Sequence, residues 1–159
     1  MAASPRPVRF ILDRRYFRMP LLGYLLRRSG AVGLDFDAPP SEAEKSMAQV
    51  LNEAVQTLNE GRLLALFPET TLTPDGEIQP FGPLLARILE RNPVPVIPMA
   101  LQGLWGSFFS RIDGAAMKRP FRRGLFSRIG LVVGAPLDAA EATPARLQTE
   151  VSRLRGDRR

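Results

Sequence analysis

A chain of 159 residues with 45% apolar content is long enough to bury one ordinary core. It contains no cysteine and no histidine, which excludes disulfides, thiolate metal sites, thiol nucleophiles, an imidazole base and any Ser-His-Asp triad. The formal charge of +6, carried mostly by arginine, suits nucleic acid, anionic lipid or a phosphorylated substrate, and equally an ordinary solvated surface.

Residues 7–12, PVRFIL, are branched and aromatic and predict a strand. Residues 16–28, YFRMPLLGYLLRR, are apolar with arginines at both ends and predict a helix, with Pro20 and Gly23 arguing against a fully regular one. It is either an ordinary buried helix or one lying on a membrane, its arginines reaching head groups. A loop, DFDAPP, follows, and Ser41 with Glu44 three positions on has the form of a capping box. Met47, Val50, Leu51, Ala54, Val55 and Leu58 then recur at helical spacing until Gly61. Residues 62–67, RLLALF, run apolar without alternation, which predicts a central strand covered on both faces. A helix opening with Pro83 is predicted to reach Asn92. Residues 94–101, VPVIPMAL, predict a strand that two prolines place at an edge or break. RIGLVVG, from Arg128, predicts another strand, and Thr143 with Pro144 opens a last amphipathic helix through Leu147, Val151 and Leu154.

Strands alternating with helices predict an α/β fold: a single layered domain over residues 1–159, with a central, mostly parallel or mixed sheet flanked by helices. In such sheets ligands bind beyond the carboxyl ends of the strands, so the loop PETTLTPDGEIQPFGP after residue 67 is the place to seek a site. Its alternative role is a turn in which Glu69 and the threonines satisfy nearby backbone groups. No run approaches the roughly 18 apolar residues of a membrane span, and the first ten residues lack the apolar centre of a secretory signal. Among the anionic partners nucleic acid is disfavoured, because the aromatic residues are not interleaved as a stacking surface.

The loop resembles the third motif of the glycerolipid acyltransferases of the 1-acylglycerol-3-phosphate acyltransferase type, F-P-E-G-T-R, through Phe67, Pro68 and Glu69. Leu72, Thr73, Asp75, Gly76, Glu77 and Ile78 are similar to the acyltransferase domains of bacterial transporter-acyltransferase fusions. So are residues 93–101, which fit the fourth motif, and residues 103–110. The resemblance covers about residues 5–138, leaving 139–159 as a C-terminal helix and basic tail.

It implies a glycerol-3-phosphate acyltransferase-like fold, N-terminally truncated, that transfers an acyl group from acyl-CoA or acyl carrier protein to a lysophosphatidate-type hydroxyl. It implies substrate-binding roles for Phe67, Pro68, Glu69, Thr70, Thr71 and Pro98, no cofactor and no metal, and a peripheral place on the cytoplasmic face of the inner membrane. An anionic membrane surface and a larger fusion protein are the implied partners. The family's H-x-x-x-x-D motif, whose histidine is the general base, is missing from this chain, so no catalytic residue is assigned and the chain alone is expected to be inactive. Thr70 replaces the motif's usual glycine, Leu72 its arginine, Gly82 a common cation, and Phe36 stands near where the second motif carries arginine. The competing reading is a non-catalytic module that binds a membrane surface or an acyl carrier. Trp105, Phe108 and Phe109, followed by Arg111, suit either a lipid interface or a core staple beneath a long loop.

Overall fold

The computed structural model describes residues 6–35, 39–69, 73, 75–103, 105 and 129–158. It divides into two compact units, Met1–Phe67 with Arg87–Asn92, and Pro68–Ala86 with Pro93–Arg159.

The first unit is built on three parallel strands, β1 (Val8–Asp13), β2 (Val32–Leu34) and β3 (Leu63–Leu66), in the order β2-β1-β3. Ile11 faces Val32 across one ladder and Leu66 across the other. Parallel neighbours need crossovers, and helices α1 (Pro20–Arg28) and α2 (Pro40–Asn59) supply them. The helical spacing read from the sequence holds in α2, where Val50, Leu51 and Ala54 are buried together with Ile11, Val32 and Leu34. Each fully buried Val, Leu or Ile contributes about 1.5–3 kcal/mol.

Two expectations are corrected in this unit. Helix α2 is not capped by Ser41: it opens at Pro40 with Pro39 as N-cap and no side-chain cap bond. Proline at the first helical position lacks only an N–H that would be orphaned there, so the helix starts before the serine. Among the described residues strand β3 is not central but lies at an edge of the sheet, and its four residues are half-buried.

The expected helix of residues 16–28 is regular only from Pro20, and it continues through Gly23. A short 3-10 helix, Arg14–Arg18, precedes α1 and is capped by Asp13, whose Oδ1 accepts from Arg15 N–H at 2.8 Å. Pro20 then opens α1. Gly23 is required where it stands, because a Cβ there would collide with the Phe17 carbonyl.

The second unit pairs β4 (Met99–Gln102) with β5 (Gly130–Val133) antiparallel, Met99 opposite Val133 and Leu101 opposite Leu131. Pro95 and Pro98 donate no ladder bond, so the expected strand of residues 94–101 begins only at Met99, while Val96 and Leu137 exchange both backbone bonds at 2.8 Å. Helix α4 (Pro144–Arg155) packs on this hairpin, with Thr143 Oγ1 accepting from Arg146 N–H as the sequence predicts. Gln102 Nε2 donates to the carbonyls of Leu154 and Arg155, capping the helix's last turn. Helix α3 (Leu84–Arg91) begins in this unit, and its last turn belongs to the first. There Arg91 and Asn92 donate to Asn52 and Asn59 of α2.

The fold is therefore α/β, with a parallel sheet flanked by helices.

Candidate functional site

Strand β3 ends at Leu66, Phe67 is left 55% exposed, and the chain turns into the loop that the sequence singles out. Pro68 and Glu69 are half-buried, and the loop doubles back so that Glu69 bridges Phe81 while Pro68 O accepts from Gly82 N–H at 2.9 Å. Inside it, Glu69 Oε2 accepts from the Gln79 amide at 2.8 Å. Burial pushes the Glu69 carboxyl above its ordinary range, opposed by that amide and by the positive charge of Arg155. A carboxylate that accepts from a backbone donor fills the turn-ordering role open from the sequence.

The tip of the loop is an Asx- and Thr-stabilised turn. Thr73 Oγ1 accepts from Gly76 N–H at 2.9 Å, and Asp75 Oδ1 accepts from Glu77 N–H at 3.0 Å. Gly76 has φ +86°, and a Cβ there would lie 2.7 Å from the Trp105 indole, so glycine is needed both for the backbone and for the ring against it. Trp105 is thus a staple on the turn, one of the two roles its sequence context allows.

Arg155, on the last turn of α4, locks this turn from outside. Its Nη1 donates to Gly76 O at 2.9 Å and its Nη2 meets Glu77 Oε2 at 3.0 Å, with the side chain only 17% exposed. Sequence reasoning assigned this residue to a basic tail. The available signal was its spacing: it follows Val151 by four, on the inward stripe with Leu147 and Leu154, where a cation calls for a partner.

Pro98, which the resemblance names as a substrate contact, is packed within the second unit. It is buried, its carbonyl accepts from Gly134 N–H at 2.9 Å, and its ring lies where a Gly134 Cβ would come within 3.0 Å. Thr70, Thr71, Leu72, Phe36, Phe108 and Phe109 lie outside the described residues. Among the described residues no group of three or more acidic side chains could hold a metal ion.

Residues 1–102 match the family model described as Acyltransferase. The chain belongs to the acyltransferase family. Curated relatives of the chain include the chloroplastic 1-acyl-sn-glycerol-3-phosphate acyltransferase BAT2 of Brassica napus, 28% identical over 95 residues, or 60% of this chain and 26% of the relative. The 1-acyl-sn-glycerol-3-phosphate acyltransferase of Limnanthes alba is 32% identical over 85 residues, or 53% of this chain and 28% of the relative. The chain therefore spans little more than a quarter of these relatives. Its fold is similar to the crystal structure of the 1-acyl-sn-glycerophosphate (LPA) acyltransferase PlsC from Thermotoga maritima, with TM-score 0.58 and 23% identity over 92% of this chain and 53% of that one.

Proposed function

We propose that the chain is the substrate-binding portion of a lysophospholipid acyltransferase. In this reading an acyl group passes from an acyl-CoA or acyl carrier protein thioester to a lysophosphatidate-type hydroxyl. Both compact units belong to one acyltransferase domain, a reading supported by a family match that runs through residues of each. The observation that carries the proposal is the ordered F-P-E turn: Glu69 fixes Gln79, Arg155 and Trp105 fix Gly76, and the loop stands at the carboxyl end of β3. Its role is positional. The Glu69 oxygen not engaged by Gln79 takes a substrate hydroxyl, and Phe67, Pro68, Thr70 and Thr71 border that position.

In this reading the proton acceptor is the histidine of the family's H-x-x-x-x-D motif, which these residues do not contain. A positioned general base contributes typically about 10²–10⁴-fold, so the 159 residues alone are expected to turn over negligibly. The domain works peripherally, at the cytoplasmic face of the inner membrane and against anionic lipid, within a larger fusion protein. No helix of the described residues is long and apolar enough to cross a membrane. The missing histidine also favours a second reading, a non-catalytic module for a membrane surface or an acyl carrier.

The test is acyl transfer to lysophosphatidate by the longest in-frame protein that includes an upstream H-x-x-x-x-D. Glu69→Ala there is expected to lower kcat/KM by about 10- to 100-fold, the worth of one charge-assisted hydrogen bond. Full activity in that variant, or robust transfer by the present chain alone, would overturn the assignment.

A further inference from the structure

The tip of the Glu69 loop and the end of β4 are held by one short piece of chain, the last turn of α4 and the residues just after it. Arg155 reaches the tip, with Nη1 on the Gly76 carbonyl at 2.9 Å and Nη2 on Glu77 Oε2 at 3.0 Å. The backbone of the same turn takes β4: the Leu154 and Arg155 carbonyls accept from Gln102 Nε2 at 3.0 and 3.2 Å. Gly156, at φ +58°, then ends the helix and turns the chain back, so that the Arg158 carbonyl accepts from Gly103 N–H at 3.2 Å. The match to the acyltransferase family ends at residue 102, so this join is made by residues beyond it.

Arg155 is set apart from the other arginines of this helix. Arg146 and Arg153 are exposed and pair locally, with Glu141 and Glu150. Arg155 is largely withdrawn from solvent, and its partners lie 79 and 78 residues away in the sequence. Its Nε is also, among the described residues, a buried side-chain donor with no hydrogen-bond partner. A buried donor without a partner costs free energy that an apolar side chain of similar length avoids. The guanidinium therefore serves geometry more than stability. Its planar fork fixes two acceptors at once, the Gly76 carbonyl and the Glu77 carboxylate, where the point charge of a lysine would hold neither in a set direction.

We propose that Arg155 is a positioning residue for the substrate turn: it holds the loop tip in the conformation that receives a lysophospholipid, and so sets the affinity of the site without touching the ligand. The proposal rests on the reading above, in which this turn receives the glycerolipid. If the tip is ordered in only a fraction of the molecules, apparent affinity falls by that fraction, because the ligand must first restore the order. Loss of the fork thus weakens binding and leaves the bound state as it was.

The test is calorimetric titration of the full chain with lysophosphatidate, beside hydrogen exchange at the Gly76, Glu77 and Gln79 amides, which donate to Thr73, Asp75 and Glu69. Arg155→Met keeps an unbranched stem and removes the donors; it should bind roughly tenfold more weakly, the worth of one charge-assisted hydrogen bond. In the free variant these three amides should exchange roughly tenfold faster, and at saturating ligand they should return to the parent's rate. Arg155→Lys should fall between the two, and Arg153→Met, on the exposed side of the same helix, should match the parent throughout. Glu77→Gln probes the same contact from a half-buried side chain, so a few-fold loss of affinity there supports the proposal even where Arg155→Met fails to fold. Parental affinity in both Arg155→Met and Glu77→Gln would overturn it. So would exchange that quickens equally along α4 and the β4–β5 hairpin and does not recover on saturation, the mark of a merely structural loss. A parent chain that binds no lysophosphatidate overturns the function proposed above and this inference with it, whereas a parent that binds while the variants bind equally overturns the inference alone.

Discussion

At the scale of single residues, Glu69 decides most. Its carboxyl is raised by burial, so the folded state holds the proton more tightly than the unfolded chain does: its contribution to stability is complete below the unfolded value and is lost as pH rises through the raised one. Glu69→Gln keeps an acceptor for the Gln79 amide and removes the titration. The variant should therefore gain on the parent in Tm as pH rises from acid to neutral, and a gain that shrinks instead would mean that Arg155 outweighs burial. Gly76→Ala is expected to cost about 1–3 kcal/mol, from its positive φ and the collision with Trp105. Trp105 is the protein's only tryptophan, so its fluorescence reports the disturbed turn directly, and an unchanged spectrum with unchanged Tm would contradict the staple.

At the scale of elements, Arg9 ties β1 to α2. It donates to Thr57 Oγ1 and Glu53 Oε2, both at 3.1 Å, and to Gly30 O at 2.6 Å, while Thr57 is fully buried. Arg9→Ala should lower stability by about 1–3 kcal/mol in denaturant unfolding, through the buried hydroxyl left short of a donor as well as the half-exposed ion pair. A change under about 0.5 kcal/mol would place it with ordinary surface substitutions. These elements were largely legible in the sequence. The spacing of Val50, Leu51 and Ala54 gave α2 its buried face, Thr143 gave α4 its start, and Pro20 and Pro98 marked real breaks. Boundaries set by competing local chemistry were not legible, as with Pro40 overriding Ser41. Nor was the edge position of β3, because an apolar run looks the same whether or not a strand lies on its far side. The site was readable as a motif, but Arg155 reaches it across 78 residues, and no local pattern names that partner.

At the scale of the whole molecule, the chain matches a family through most of its length yet spans little more than a quarter of its curated relatives. One face of the β4–β5 hairpin leaves Met99, Leu101, Leu131 and Val133 between 36% and 55% exposed. Substituting Leu131 by lysine should raise solubility at a stability cost within about 0.5 kcal/mol. A large loss of Tm would instead make it a core position. The central claim, that the Glu69 turn receives the glycerolipid, is tested most directly by titrating the isotope-labelled chain with lysophosphatidate and following its amide resonances. The account predicts that the Gly76, Glu77 and Gln79 amides and the Trp105 indole move most, and that Glu69→Ala abolishes the movement. Binding that leaves those resonances in place would contradict it.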